Sequence, residues 1–144
     1  MASFGASSKA QLDTVHPRLK ELFNEVVKTF DCKVICGYRT QGDQDKAFEA
    51  GLSKVQWPNS KHNSYPSLAV DVAPYPVDWK DLNRFYHFGG YVRAVADRLG
   101  IKIRWGGDWD GDFDLKDQNF FDLPHFELVE EGHSSDLPKD QIRG

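Results

Sequence analysis

The sequence is short of several things, and each shortage excludes a class of protein. It has no apolar run near the roughly 20 residues that cross a bilayer, so no membrane partner is expected. It has no positive excess: 18 Lys and Arg stand against 22 Asp and Glu, a formal net charge of -4. Phosphate backbones are held by clustered cations, so nucleic acid is not expected as a partner either. The N-terminus reads Met-Ala-Ser-Phe-Gly-Ala-Ser-Ser-Lys and lacks the charged start and apolar stretch of a secretory signal. As written, the chain is expected to stay in the cytoplasm where it is made until something else releases it. There are only two cysteines, Cys32 and Cys36. On one strand they would stand about 13 Å apart, too far for a disulfide. Two buried or half-buried thiols are expected; a metal pair is the alternative, but it lacks nearby partners in sequence. The helical His-Glu-x-x-His zinc signature is also missing.

What remains is an ordinary globular composition. The 144 residues are 40% hydrophobic and 28% charged, enough for one domain over 1–144 with a core that needs no disulfides. Val15, Leu19, Leu22, Phe23, Val26, Val27 and Phe30 recur at helical spacing, and Pro17 marks a break or second start within 7–30. Residues 33–37 read as a strand. Gln41 to Ala50 reads as a helix stopped by Gly51, and 52–66 as loop. Leu68 to Ala73 alternates as a strand. A helix follows from Trp79 to Gly100, capped by Asp78 and interrupted at Gly89 and Gly90, where a kink is expected. Ile101 to Trp105 and His125 to Val129 read as further strands, and the polar tail after Gly132 as frayed. The pattern is α+β: a small, mainly antiparallel sheet with helices packed on one side.

Three residues in this frame suggest a metal. Asp71 interrupts an apolar strand between Ala69 and Ala73, whose small side chains leave room for an ion. A buried carboxylate there needs a partner or a cation. His62 lies in the loop before that strand, and His125 opens the last one. Singly, each has a plainer role, as a salt-bridged aspartate or an ordinary loop or strand histidine. Together, two imidazoles and one carboxylate make a catalytic zinc set with a position left for water. Zinc brings the pKa of such a water to about 7. Asp122, three residues before His125, is placed to act as the base. Glu127 shares the face of His125 and is placed to orient it. Separately, Asp108, Asp110, Asp112 and Asp114 alternate along a loop. They suit either a hard cation such as calcium, without the usual closing glutamate, or a solvated acidic edge to the cleft.

Three segments carry a family resemblance: Ser60-Lys61-His62, Ala69-Val70-Asp71 and Asp122-Leu123-Pro124-His125. Together they resemble the zinc peptidases that cleave D-Ala-D-Ala and L-Ala-D-Glu bonds. The phage endolysin branch is most similar, through Ser-Lys-His-Asn, Ala-Val-Asp-Val-Ala-Pro-Tyr-Pro at 69–76 and Trp-Gly-Gly-Asp-Trp at 105–109. The resemblance covers about residues 9–130, and the interval from His62 to Asp71 is longer than in many members. It implies the Hedgehog/D-Ala-D-Ala peptidase-like fold, with zinc held by His62, Asp71 and His125 and Asp122 as catalytic base. It implies that Arg39, in Gly37-Tyr38-Arg39-Thr40, holds the scissile carbonyl or a substrate carboxylate, a contribution of about 3–4 kcal/mol for a well-aimed cation. Gln44, which by itself reads as a helix-surface glutamine, would then lie by the substrate with Asp108 and Trp109. The implied protein is a monomeric endolysin, without a separate wall-binding domain, that cuts the L-Ala-D-Glu bond of peptidoglycan. A D-Ala-D-Ala carboxypeptidase is the alternative with the same chemistry. A non-catalytic module that keeps zinc and grips wall fragments is the alternative from another class.

Overall fold

The computed structural model describes residues 2–114 and 121–129. The polar tail expected after Gly132 lies outside the described residues. Two helices open the chain, α1 (Ala6–Leu12) and α2 (Pro17–Val26). The break falls where Pro17 predicts it: proline takes the first helical position, and His16 caps the turn by accepting from the Arg18 amide at 3.1 Å. Then come β1 (Cys32–Cys36), α3 (Gln41–Glu49), a turn of 3-10 helix over Lys61–Asn63, and β2 (Ala69–Pro74). The long helix α4 (Leu82–Leu99) leads to β3 (Ile103–Gly106) and β4 (Asp122–Leu128).

The strands form one antiparallel sheet in the order β1-β2-β4-β3. Side chains alternate across it. Val70 and Val72 of β2 and Phe126 of β4 face α2 and α4. The Phe126 ring stands edge-on to Phe23 of α2 at 5.4 Å and to Phe88 of α4 at 6.0 Å. Leu19, Leu22, Phe23 and Val26 are the buried stripe of α2, and Phe85, Phe88, Val92, Val95 and Ala96 that of α4. Each such side chain contributes about 1.5–3 kcal/mol when fully buried.

Helix α4 departs from the sequence expectation at its start and in its middle. It starts at Leu82, capped by Asp81, whose carboxylate accepts from the Arg84 amide at 3.2 Å. Asp78 serves an earlier turn instead, accepting from the Lys80 amide. Two aspartates compete for one cap, and the one adjoining the apolar stripe takes it. The helix also runs unbroken through Gly89 and Gly90. Gly89 is there for packing: a methyl group at that position would meet the Trp105 ring, as would one at Gly107. The indole of Trp105 is thereby sunk against α4, and its N–H reaches the Leu123 carbonyl at 2.8 Å. At Gly106 the Asp122 carbonyl occupies the place of a side chain, which brings the start of β4 close to β3.

Candidate metal centre

The opposite face of the sheet carries the polar groups. Asp71 stands opposite His125, and Ala69 opposite Glu127. Ala69 and Ala73 flank Asp71 with the small side chains that the sequence suggested. His62 arrives from the 3-10 turn, which a reciprocal cap fixes. The Ser60 hydroxyl accepts from the His62 amide at 3.2 Å, and the Asn63 side chain accepts from the Ser60 amide at 3.1 Å.

Three side-chain atoms converge from these elements. His62 Nε2 lies 3.2 Å from Asp71 Oδ1 and 3.2 Å from His125 Nδ1, and His125 Nδ1 lies 3.3 Å from Asp71 Oδ1. Ligands at about 2.0–2.1 Å from a tetrahedral zinc stand about 3.3 Å from one another. The triangle therefore has the dimensions of one face of such a site. The other ring nitrogens are committed elsewhere. His62 Nδ1 faces the Gly37 carbonyl at 2.8 Å, and His125 Nε2 faces Glu127 Oε1 at 2.8 Å. With a proton on each of those nitrogens, both rings present a bare lone pair to the shared point. Both histidines are fully buried.

The surrounding charges suit a cation. Burial works against the charge of Asp71, but the charge of His62 and hydrogen bonds from His125 and His62 outweigh it and hold the carboxyl well below its usual range. Burial also disfavours a charged His125, yet its bonds to Asp71 and Glu127 push its pKa up to about 10. Positive charge is thus favoured at this point, whether a proton or a metal ion supplies it. Burial of Glu127 is likewise overcome by its hydrogen bond to His125, with Lys61 at 3.1 Å and Arg104 at 3.4 Å as further partners, and its pKa is lowered. Asp122 differs. Its Oδ2 is 3.8 Å from His125 Nδ1, and burial, followed by the charge of Asp71, pushes its pKa up to about 7.

Arg39 enters from the loop after β1. Its guanidinium meets Asp71 Oδ2 at 3.3 Å and Gln44 Oε1 at 2.9 Å, and its amide donates to the His62 carbonyl at 2.8 Å. Gln44 is not the helix-surface residue that its sequence context suggests. It is fully buried, and its amide donates to Ser53 and to the Val55 carbonyl. It therefore faces Arg39 rather than open solvent. Trp109 is buried too, with its ring centroid 5.3 Å from that of His125. Asp108 is buried beside it, paired with Arg93 at 3.1 Å and accepting from the Phe113 amide. Asp108, Asp110 and Asp112 each bring one carboxylate oxygen within 4.8 Å of the others.

Sequence reasoning missed Cys36. Both thiols are free, as expected. Cys32 lies in the core, but Cys36 comes beside His62 and Asp71, with one candidate ligand atom of each within 4.8 Å of the others. No alternation rule could have placed it there, because β1 carries an irregularity between Val34 and Cys36.

The chain has recognisable relatives. A profile of the phage L-alanyl-D-glutamate peptidase family matches residues 1–129. The chain is 32% identical over 134 residues to the L-alanyl-D-glutamate peptidase of Escherichia phage T5, covering 88% of this chain and 97% of that protein. It is also similar to the crystal structure of the Serratia marcescens L-Ala D-Glu endopeptidase ChiX. That match has a TM-score of 0.67 at 29% identity and covers 88% of this chain and 89% of the other.

Proposed function

The chain belongs to the phage L-alanyl-D-glutamate peptidase family, and on that premise we propose that His62, Asp71 and His125 hold a zinc ion with which it hydrolyses the L-Ala-D-Glu bond of peptidoglycan. It is a peptidoglycan peptidase of the endolysin type. The metal reading rests on one observation above all: three donor atoms spaced 3.2–3.3 Å apart with Asp122 beside them. Two imidazoles and a carboxylate suit zinc and leave a position for solvent. When bound there, zinc supplies Lewis acidity toward a water and a carbonyl oxygen.

The remaining work falls to the chain. Asp122, titrating near 7, accepts a proton from the attacking water and returns it to the leaving amine of D-Glu. Arg39 lies at the open edge of Asp71 and holds the scissile carbonyl oxygen or the neighbouring substrate carboxylate. Gln44 fixes the Arg39 guanidinium, and Glu127 fixes the imidazole of His125. Both are positioning residues. Asp108 and Trp109 act on the substrate pocket from beneath, by supporting His125 and the loop after β3. None of the described helices is long and apolar enough to cross a membrane. An endolysin of this kind meets its substrate once it is released to the wall.

Mass spectrometry of fragments freed from purified sacculi tests the reaction. New amino-terminal D-Glu on the stem peptide is the expected product. Free D-Ala would instead identify a carboxypeptidase. Undigested sacculi alongside full zinc occupancy would identify a module that binds the wall without cutting it.

A further inference from the structure

The reaction described above makes no use of Cys36, yet the backbone goes out of its way to aim it. β1 pairs with β2 from Cys32 opposite Pro74 to Val34 opposite Val72. An extra residue then intervenes, so that Cys36, and not Ile35, stands opposite Asp71. A bulge of this kind re-aims the side chain that follows it. In regular pairing Ile35 would face Asp71, and Cys36 would join Val70 on the helix side. As built, Ile35 is left 37% exposed, and the thiol turns toward His62 and Asp71. It donates to the Gly37 carbonyl at 3.6 Å, an oxygen that is also the partner of His62 Nδ1, and Arg39 is a second partner of the sulfur. Cys32 supplies the contrast, 5% exposed within the apolar core.

We propose that Cys36, His62 and Asp71 form an overlapping ligand set through which this centre takes thiophilic cations such as cadmium by a metal–sulfur bond. The proposal rests on the reading of His62 and Asp71 as metal ligands and goes beyond it, because His125 is not needed. Soft cations prefer sulfur to oxygen donors, and the thiol proton is released to solvent as the bond forms. Because His62 and Asp71 belong to both ligand sets, cadmium held there would compete with zinc for them.

The test is a titration of the metal-stripped, full-length protein with cadmium, following the ultraviolet charge-transfer band of a thiolate–metal bond. The band is expected in the parent and in Cys32→Ala, and is expected to vanish in both Cys36→Ser and Cys36→Ala. Zinc uptake by the two Cys36 variants, measured by calorimetry, is expected to match the parent. A band that survives replacement of Cys36, or a parent that binds cadmium without one, overturns the proposal. Zinc uptake without any sulfur band leaves His62 and Asp71 standing as ligands and removes only Cys36. A parent that takes up neither ion removes both readings.

Discussion

Val70, Val72 and Phe126 look into the helices, while Asp71, His125 and Glu127, one residue along the same strands, look away from them. The first face is apolar and gains its stability without direction, from area removed from water. The second face is polar and largely buried, with His125 and Glu127 enclosed and Asp71 half-buried, and burial alone would destabilise it. It persists because each charged or titratable group has a partner of the opposite kind: Asp71 has Arg39, and Glu127 has Lys61 and Arg104. The comparison shows that a strand of two-residue period can hold a hydrophobic core and a reactive centre back to back. The two faces need share little energy, because a sheet side chain packs against its own side.

Three substitutions test that separation. The largest expected effect is on catalysis. Asp122→Asn should lower kcat/KM on sacculi by about 10²- to 10⁴-fold while zinc content stays at the parent level. As the proposed base this carboxyl works only when deprotonated, so it should set the acid limb of the pH profile. Activity should therefore fall as pH drops through a midpoint at or below about 7, since a bound dication draws the midpoint down, and Asp122→Asn should lose that limb. The sign for stability is the reverse of that for an ordinary paired carboxylate. The pKa is raised on folding from 3.8 to about 7, so the metal-free protein loses stability as pH climbs through that window. Asp122→Asn should remove that loss, as denaturant unfolding of the metal-free protein at several pH values would reveal.

The next largest effect belongs to the other face. Phe126→Ala empties the meeting point of α2, α4 and the sheet and should cost about 3–5 kcal/mol in unfolding free energy. Zinc bound per folded molecule should not change. A loss of metal from the folded variant would mean that the faces are coupled. The smallest effect is expected from Glu127→Gln. It keeps an acceptor for His125 but removes the charge, and should weaken zinc binding about 10- to 100-fold in competition with a chelator. An unaltered affinity would reduce Glu127 to a partner of Lys61 and Arg104.

These faces also explain what could be read from the sequence. Alternation along 68–73 and 125–129 was legible because a regular strand assigns sides by parity. Asp71, His125 and Glu127 followed from it. Cys36 was not legible, because one inserted residue reverses parity and leaves no mark in the composition. Gln44 looked like a surface residue of α3 because its burial depends on the loop carrying Ser53 and Val55, which lies on no helix face. The start of α4 was misplaced because Asp78 and Asp81 offer the same capping chemistry, and only packing of the apolar stripe decides between them. The reason for a glycine at position 89 is the indole of Trp105, sixteen residues away, which a side chain there would strike.

That last contact sets a rule for anyone wishing to make the enzyme tolerate heat. Exchanging a helical glycine for alanine ordinarily gains about 0.5–1 kcal/mol, and α4 offers two adjacent candidates. At Gly90 the added methyl has open space; at Gly89 it strikes the indole. The displaced ring would release the Leu123 carbonyl, two residues ahead of the proposed ligand His125, so a change made on a helix for robustness would be felt in hydrolysis. Of two neighbours that look interchangeable, one is free for engineering and the other is a fastener for the strand behind it.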